Sequence, residues 1–204
     1  MRFACRGAIL LSLGLLVCFS VGCGSSPYAT PEATFETAKK AMTDKDYKTF
    51  CGCLTPECRD DQAAGLVLAG SLAPLTAQLE GTEEAKADAA KATAVIEKHG
   101  LTQESTAKIL RDLATNPEDR KKGLQKLVEP IKDRDAFIAE FFSVTVDTAG
   151  SSEEKVIVDD AKLTDLKTDG DTTTATCVET REGSETKKAI AFKKIDGQWK
   201  ISDL

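Results

Sequence analysis

The stretch AIAFKKIDGQWKISDL, residues 189–204, carries Ile190 and Phe192 two positions apart, then Asp196-Gly197, then Trp199 and Ile201 two apart. Apolar residues at a spacing of two put one face of a strand in a core, and Asp-Gly between two such runs favours a two-residue hairpin turn. The segment therefore predicts a strand, a tight turn and a returning antiparallel strand. Upstream, Glu182-Gly183 and Asp169-Gly170 punctuate TTTATCVET and TKKAIAFKKI in the same way, and SVTVDTAG (143–150) and KVIVDDAKLTDLK (155–167) alternate as strands do. The expected result is an antiparallel meander of four or five strands. Lys187, Lys188, Lys193 and Lys194 suit a sheet with one face in water.

Before Phe142 the period changes to that of helices. In TPEATFETAKKAM (30–42), Thr30 can cap, Pro31 and Glu32 suit a first turn, and Phe35, Ala38 and Met42 share one face. Asp46 can cap a short second helix carrying Tyr47, Phe50, Cys51 and Leu54 at helical spacing, so Cys51 points at the core. Thr55-Pro56 ends that helix and can start a third, which leaves Cys53 and Cys58 flanking a corner. From Arg59 to Phe142 the chain predicts helices throughout. QAAGLVLAGSLA (62–73), interrupted by Gly65 and Gly70 and followed by Pro74, predicts a buried hairpin rather than a membrane span.

Thr82 to His99 has acids first, Lys98 and His99 last and Gly100 just beyond, so His99 is expected to be a terminal residue matched to the helix dipole. Further helices are expected from Thr102, Asn116-Pro117 and Asp133, the last carrying Phe137, Ile138, Phe141 and Phe142 inward. Arg120, Lys121, Lys122 and Lys126 form a basic cluster, expected to be a solvated helix face, with a docking patch as the alternative.

The opening MRFACRGAILLSLGLLVCFSVGCGSS has Arg2 and Arg6, an apolar run from Ala8 to Phe19, then small residues: the order of a secretory signal over residues 1–22. The run is shorter than the ~20 residues of a spanning helix. Residues 23–30 then suit a short tether. The chain holds 27 basic and 33 acidic side chains; without Arg2 and Arg6 the balance is 25 to 33, a formal −8. Such a surface repels nucleic acid, and one Trp with two Tyr gives little material for stacking bases.

Export also decides how the cysteines are read. Of seven, Cys5 and Cys18 leave with the signal and Cys23 stands at the cleavage site, leaving Cys51, Cys53, Cys58 and Cys177. Four thiols in an oxidising envelope are expected to form disulfides. The spacings CxC and CxxxxC do not give the paired knuckles of a structural zinc site, and the single histidine, His99, is distant in sequence. Neither a metal nor a cofactor is expected. Buried thiols and a soft-metal or redox site are the alternatives at this segment.

SVGC, Ser20 to Cys23, resembles the lipobox of bacterial lipoproteins, with Ser20 where that motif usually has Leu. The resemblance implies a lipidated Cys23 as first residue, and Gly24 in place of Asp implies sorting to the outer membrane; plain cleavage into the periplasm or medium is the alternative. The paired ends, PEATFETAKKAMTDKDYKTFCGCLTPE and AIAFKKIDGQWKISDL, resemble the first two helices and last hairpin of the nuclear transport factor 2-like (cystatin-like) superfamily.

That likeness implies an α+β fold in which a cone-like curved antiparallel sheet packs on N-terminal helices, formed by residues 31–58 and 143–204, with residues 59–142 as an all-helical insertion. Superfamily members include isomerases and dehydratases acting in the cone. Here the candidate acid–base groups are Glu179, Asp165 and Tyr47, and strand carboxylates of an acidic protein are expected to face solvent.

The expected role is thus non-catalytic binding or scaffolding at the cell envelope, held to the membrane through a lipid anchor and taking a protein partner or small apolar ligand. An isomerase- or hydratase-like enzyme in the cone, or a thiol protein using CxCxxxxC, is the alternative. With the sheet laid over the helices, the expected bridges are Cys51–Cys177, from helix to sheet, and Cys53–Cys58 across the corner; a Cys51–Cys53 bridge would close a strained small ring.

Overall fold

The structure, a computed structural model, describes residues 26–115, 120–145, 157, 160–181 and 184–204. Along these the order is α1 (Pro31–Thr43), α2 (Tyr47–Gly52), α3 (Pro56–Glu80), α4 (Glu83–Lys98), α5 (Gln103–Thr115), α6 (Arg120–Val128), α7 (Arg134–Thr145), β1 (Lys162–Asp169), β2 (Thr172–Arg181), β3 (Ser184–Ile195) and β4 (Gln198–Asp203). The fold is α+β: one curved antiparallel sheet in the order β1-β2-β3-β4, packed on the N-terminal helices, with a block of helices between them.

The sheet follows from strand parity and turn chemistry. Asp196 and Gly197 adopt φ of 50° and 77°, the two positive values a tight β3–β4 hairpin requires, and Gly170 at 56° helps turn β1 into β2. Thr173, Ala175, Cys177 and Glu179 of β2 are buried on one face with Ile190, Phe192, Trp199 and Ile201, while the opposite face is largely in water. Register shifts at Thr164/Lys167 and Ala191/Phe192 bend the ladder.

Phe35, Tyr47, Phe50 and Leu54 join those sheet residues in one core. The helices begin where side-chain acceptors stand: Thr30, Asp46, Thr55 and Thr82 each accept from a backbone N–H of the first turn.

Two expectations are corrected. QAAGLVLAGSLA is not a hairpin: α3 runs unbroken for 25 residues with Pro74 inside it and turns only at Gly81, φ 73°. Its glycines do not break the helix because Gly70 is where two others come close. A Cβ there would lie 2.5 Å from Ile96 Cδ1 and 2.8 Å from Phe141 Cε2, whereas one at Gly65 would meet nothing within 4 Å.

SVTVDTAG does not begin as a strand either. Ser143–Thr145 complete α7, with Thr145 Oγ1 donating to the Phe141 carbonyl at 2.9 Å, because the Phe137, Ile138, Phe141, Phe142 face packs against α2, α3 and α4. The rest of that stretch, most of KVIVDD and Asn116-Pro117 lie outside the described residues. Four strands are present among the described residues. The boundaries expected after residues 58 and 142 fall inside α3 and α7.

Gly70→Ala is expected to destabilise the protein by about 1–2 kcal/mol, because overpacking a core costs about 1–3 kcal/mol and the better helix propensity returns only part of it. Gly65→Ala, in the same helix, is expected to stabilise by about 0.5–1 kcal/mol. Urea unfolding of the two variants beside the parent checks both signs.

Candidate functional site

CGCLTPEC, residues 51–58, forms a joint between the helices and the last strand. Leu54 makes a parallel bridge with Ile201: the Thr55 N–H donates to the Ile201 carbonyl and the Ile201 N–H to the Cys53 carbonyl, both at 2.8 Å. One residue pair away, the Trp199 N–H donates to the Tyr28 carbonyl at 2.9 Å, and Thr34 Oγ1 donates to the Trp199 carbonyl at 3.0 Å. Lys200 crosses the same edge, its Nζ donating to the Gly52 carbonyl and lying 3.7 Å from the centre of the Tyr28 ring. The exposed side of β4 is thus covered by residues 28 and 53–55.

The four cysteines are buried thiols in two neighbourhoods. Burial pushes Cys51 up to about 12, with Asp135 of α7 adding to the rise and Arg59 opposing it; Cys58 likewise reaches about 12, by burial and then Asp61. Cys53 reaches about 11 by burial, opposed by Lys200, and its Sγ donates to the Thr49 carbonyl at 3.3 Å. Cys177 is raised by burial and by Glu179 and lowered by Lys188 and Lys39. It stands opposite Leu163 and Lys188, four residues along β2 from Thr173, which belongs to the row Thr173–Phe192–Ile201 beside the joint. Four residues of strand are about 13 Å. The structure brings Cys51 and Cys53 into one electrostatic neighbourhood and places Cys177 in another.

Glu179 corrects the expectation that strand carboxylates face water: it is 2 % exposed, on the inner face two residues from Cys177, with Lys188 Nζ at 3.5 Å. Parity with Cys177 was the signal for this in the sequence. Asp165 is exposed at the β1 irregularity with φ 55°, and Tyr47 stacks on Phe142 with ring centres 5.4 Å apart. Of the three candidate acid–base groups, Asp165 is thus in water while Glu179 and Tyr47 are buried. His99 ends α4 as expected, but its Nε2 also lies 3.0 Å from Glu140 Oε2 and its ring meets Phe137 edge-on. Hydrogen bonds from Lys98 and His99 hold the Glu140 carboxyl below its ordinary range.

Two clefts among the described residues open on the helical block. One, about 370 Å³, is lined by Pro56, Arg59, Asp60 and residues 132–135. Its guanidiniums are paired across the α3 and α7 N-termini, Arg59 with Asp135 and Arg134 with Asp60, each at 3.1 Å. Thr55 and Asp133 already cap both helices, so the cleft holds a balanced set of charges. The other, about 460 Å³, is an alanine-lined groove between α3 and α4. Among the described residues no three His, Cys, Asp or Glu side chains converge as a metal site, and no helix is long and apolar enough to cross a membrane. Comparison with family models, curated proteins and solved structures finds no match to this chain.

As thiols, the four cysteines are the reverse of activated nucleophiles. Each retains its proton in the fold above the ordinary value of 9.0 at which the unfolded chain loses it. Their contribution to stability is therefore complete below pH 9 and lost as the pH climbs toward 12. Two outcomes are expected: iodoacetamide leaves Cys51, Cys53, Cys58 and Cys177 unmodified in native protein at neutral pH, and the urea midpoint falls steadily above pH 9. A protein whose sulfurs are bridged shows no thiol-linked fall, and its cysteines stay unmodified in urea until a reductant is added.

Proposed function

We propose that this protein is an exported, lipid-anchored component of a bacterial cell envelope, sorted to the outer membrane, with a non-catalytic binding or scaffolding role on a nuclear transport factor 2-like scaffold. The observation that carries the reading is the leader ending in SVGC, with so little chain between Cys23 and the folded body. The body takes hold of the chain at Tyr28, through its carbonyl and its ring. Five residues span at most about 18 Å, so a lipid on Cys23 would hold the domain close against the bilayer.

The non-catalytic part of the reading is supported by the filling of the sheet's inner face. Phe35, Phe50, Leu54, Phe192 and Ile201 are each essentially inaccessible there, and of the candidate acid–base groups Asp165 is exposed to water. General acid–base chemistry needs two such groups about one shared pocket.

Metabolic labelling with a fatty acid, followed by detergent-phase partition, tests the address. The parent protein is expected to carry label and enter the detergent phase; Cys23→Ser is expected to lose both and to appear in the soluble envelope fraction. Label retained by Cys23→Ser, or a parent protein without label, overturns the anchor.

A further inference from the structure

Leu72, Leu75 and Leu79 are 51 %, 58 % and 83 % exposed, the large apolar side chains left in water among the described residues. With the partly buried Leu68 they follow a 4-3-4 spacing along one side of α3, the spacing of a seam between two helices. From Gln62 to Leu79 the helix itself carries no ionisable side chain. A solvated helix of a protein that is 29 % charged does not ordinarily look like this.

The ends of the stripe differ in sign. Beyond Leu79 the α3–α4 corner presents Glu80, Glu83 and Glu84, all exposed, with Lys86 paired to Glu83 at 2.7 Å, and is net acidic. Beside the first half of α3 lie α5 and α6: the link after Val128 leads to Arg134, whose guanidinium holds Asp60 at 3.1 Å, and Leu66 and Leu68 are partly covered where Leu72 to Leu79 are not. These two helices expose Lys108, Arg111, Lys122 and Lys126 against Glu104, and are net basic. Acid at one end and base at the other, about an uncharged apolar centre, is a self-complementary surface. A two-fold axis through the middle of the stripe sets each acidic corner against the partner's basic helices twice over.

We infer that two copies of this chain pair through α3, antiparallel, with Leu72, Leu75 and Leu79 of each forming the dry centre. A lipid surface suits the stripe less well. Helices that lie on membranes carry Lys and Arg beside the apolar face, whereas α3 carries none from Gln62 to Leu79 and the neighbouring corner, with Glu80, Glu83 and Glu84 against Lys86, is net acidic. The exposures amount to about two fully uncovered leucines per copy, less than a standard interface of about 1,200–2,000 Å² requires from its core alone. The dimer is accordingly weak, concentration-dependent and sensitive to salt. It does not depend on the envelope reading.

Sedimentation velocity over about a hundredfold range of concentration tests it, on Cys23→Ser protein so that association through a lipid cannot contribute. The protein is expected to pass reversibly from monomer to dimer, and added salt is expected to shift it several-fold toward monomer. Leu75→Glu should abolish the dimer with an unchanged circular dichroism spectrum, since the position is exposed. Glu80→Lys with Glu84→Lys should weaken pairing, and adding Lys108→Glu with Lys126→Glu to the same chain should restore it. A chain that stays monomeric throughout, a dimer that survives Leu75→Glu, or a charge reversal without rescue overturns the proposal. A monomer that floats with phosphatidylcholine vesicles and ceases to after Leu75→Glu also overturns it, and assigns the stripe to lipid.

Discussion

Two backbone hydrogen bonds between Cys53–Thr55 and Ile201 fasten the first helices to the last strand, and the sheet and the helical block both depend on that joint. The partners are roughly 150 residues apart, and closing such a loop costs about 4–5 kcal/mol on the logarithmic scale of chain entropy. Hydrogen bonds at about 1 kcal/mol net apiece do not offset this alone. The offset comes from Phe35, Phe50, Leu54, Phe192 and Ile201, buried around the joint at about 1.5–3 kcal/mol each. Polar atoms set the geometry and apolar area holds it. The result is a strand edge closed by the chain's own N-terminal segment, which removes one site for pairing with another sheet.

The helical block is attached on different terms. Gly70 lets α3 approach Ile96 of α4 and Phe141 of α7 more closely than any other residue would allow, so α3 packs through small residues, Ala63, Ala64, Val67 and Ala77 among them. The Arg59–Asp135 and Arg134–Asp60 pairs then fix how α3 and α7 lie along each other. Their side chains are between 29 % and 45 % exposed, where such pairs are worth about 0–1 kcal/mol. They select a register, and the buried phenylalanines of α7 supply the stability.

Much of this was legible in the sequence, for identifiable reasons. Turns and caps are local: Asp196-Gly197 had to take two positive φ values, and Thr30, Asp46, Thr55 and Thr82 had to accept from the next turn. What the sequence concealed was non-local. Gly70 looked like a break because its partners, Ile96 and Phe141, lie 26 and 71 positions away, and a glycine at a contact has the same letter as a glycine at a turn. Ser-Val-Thr at 143–145 alternates as a strand would, but the phenylalanine face of α7 carries those residues into its last turn.

Glu179 was hidden by a rule about averages. Its parity with Cys177 pointed inward, and general acidity pointed outward; the local geometry won. The same holds for the exposed leucines, whose seam spacing is visible only once α3 is known to be unbroken through Pro74.

The joint and the leucine stripe stand at opposite ends of α3, and their separation bears on which surface of the protein can be used. Thr55 caps the helix beside Ile201, next to where Tyr28 enters the body. Leu72 to Leu79 follow 17 to 24 residues later, about 25–36 Å along the axis. A lipid on Cys23, as proposed, would leave a tether to Tyr28 of at most about 18 Å. A chain held by such a tether brings its joint to the bilayer and carries the stripe beyond it, unless α3 lies flat along the surface. Upright copies on one bilayer would set their α3 helices parallel, whereas the antiparallel pair puts its two joints at opposite ends, so tethered copies can pair in this way only with α3 lying flat along the surface. Confinement to a plane raises the local concentration that a weak contact requires. The same short tether that would restrict where the domain can go would thus make a small apolar seam sufficient for pairing.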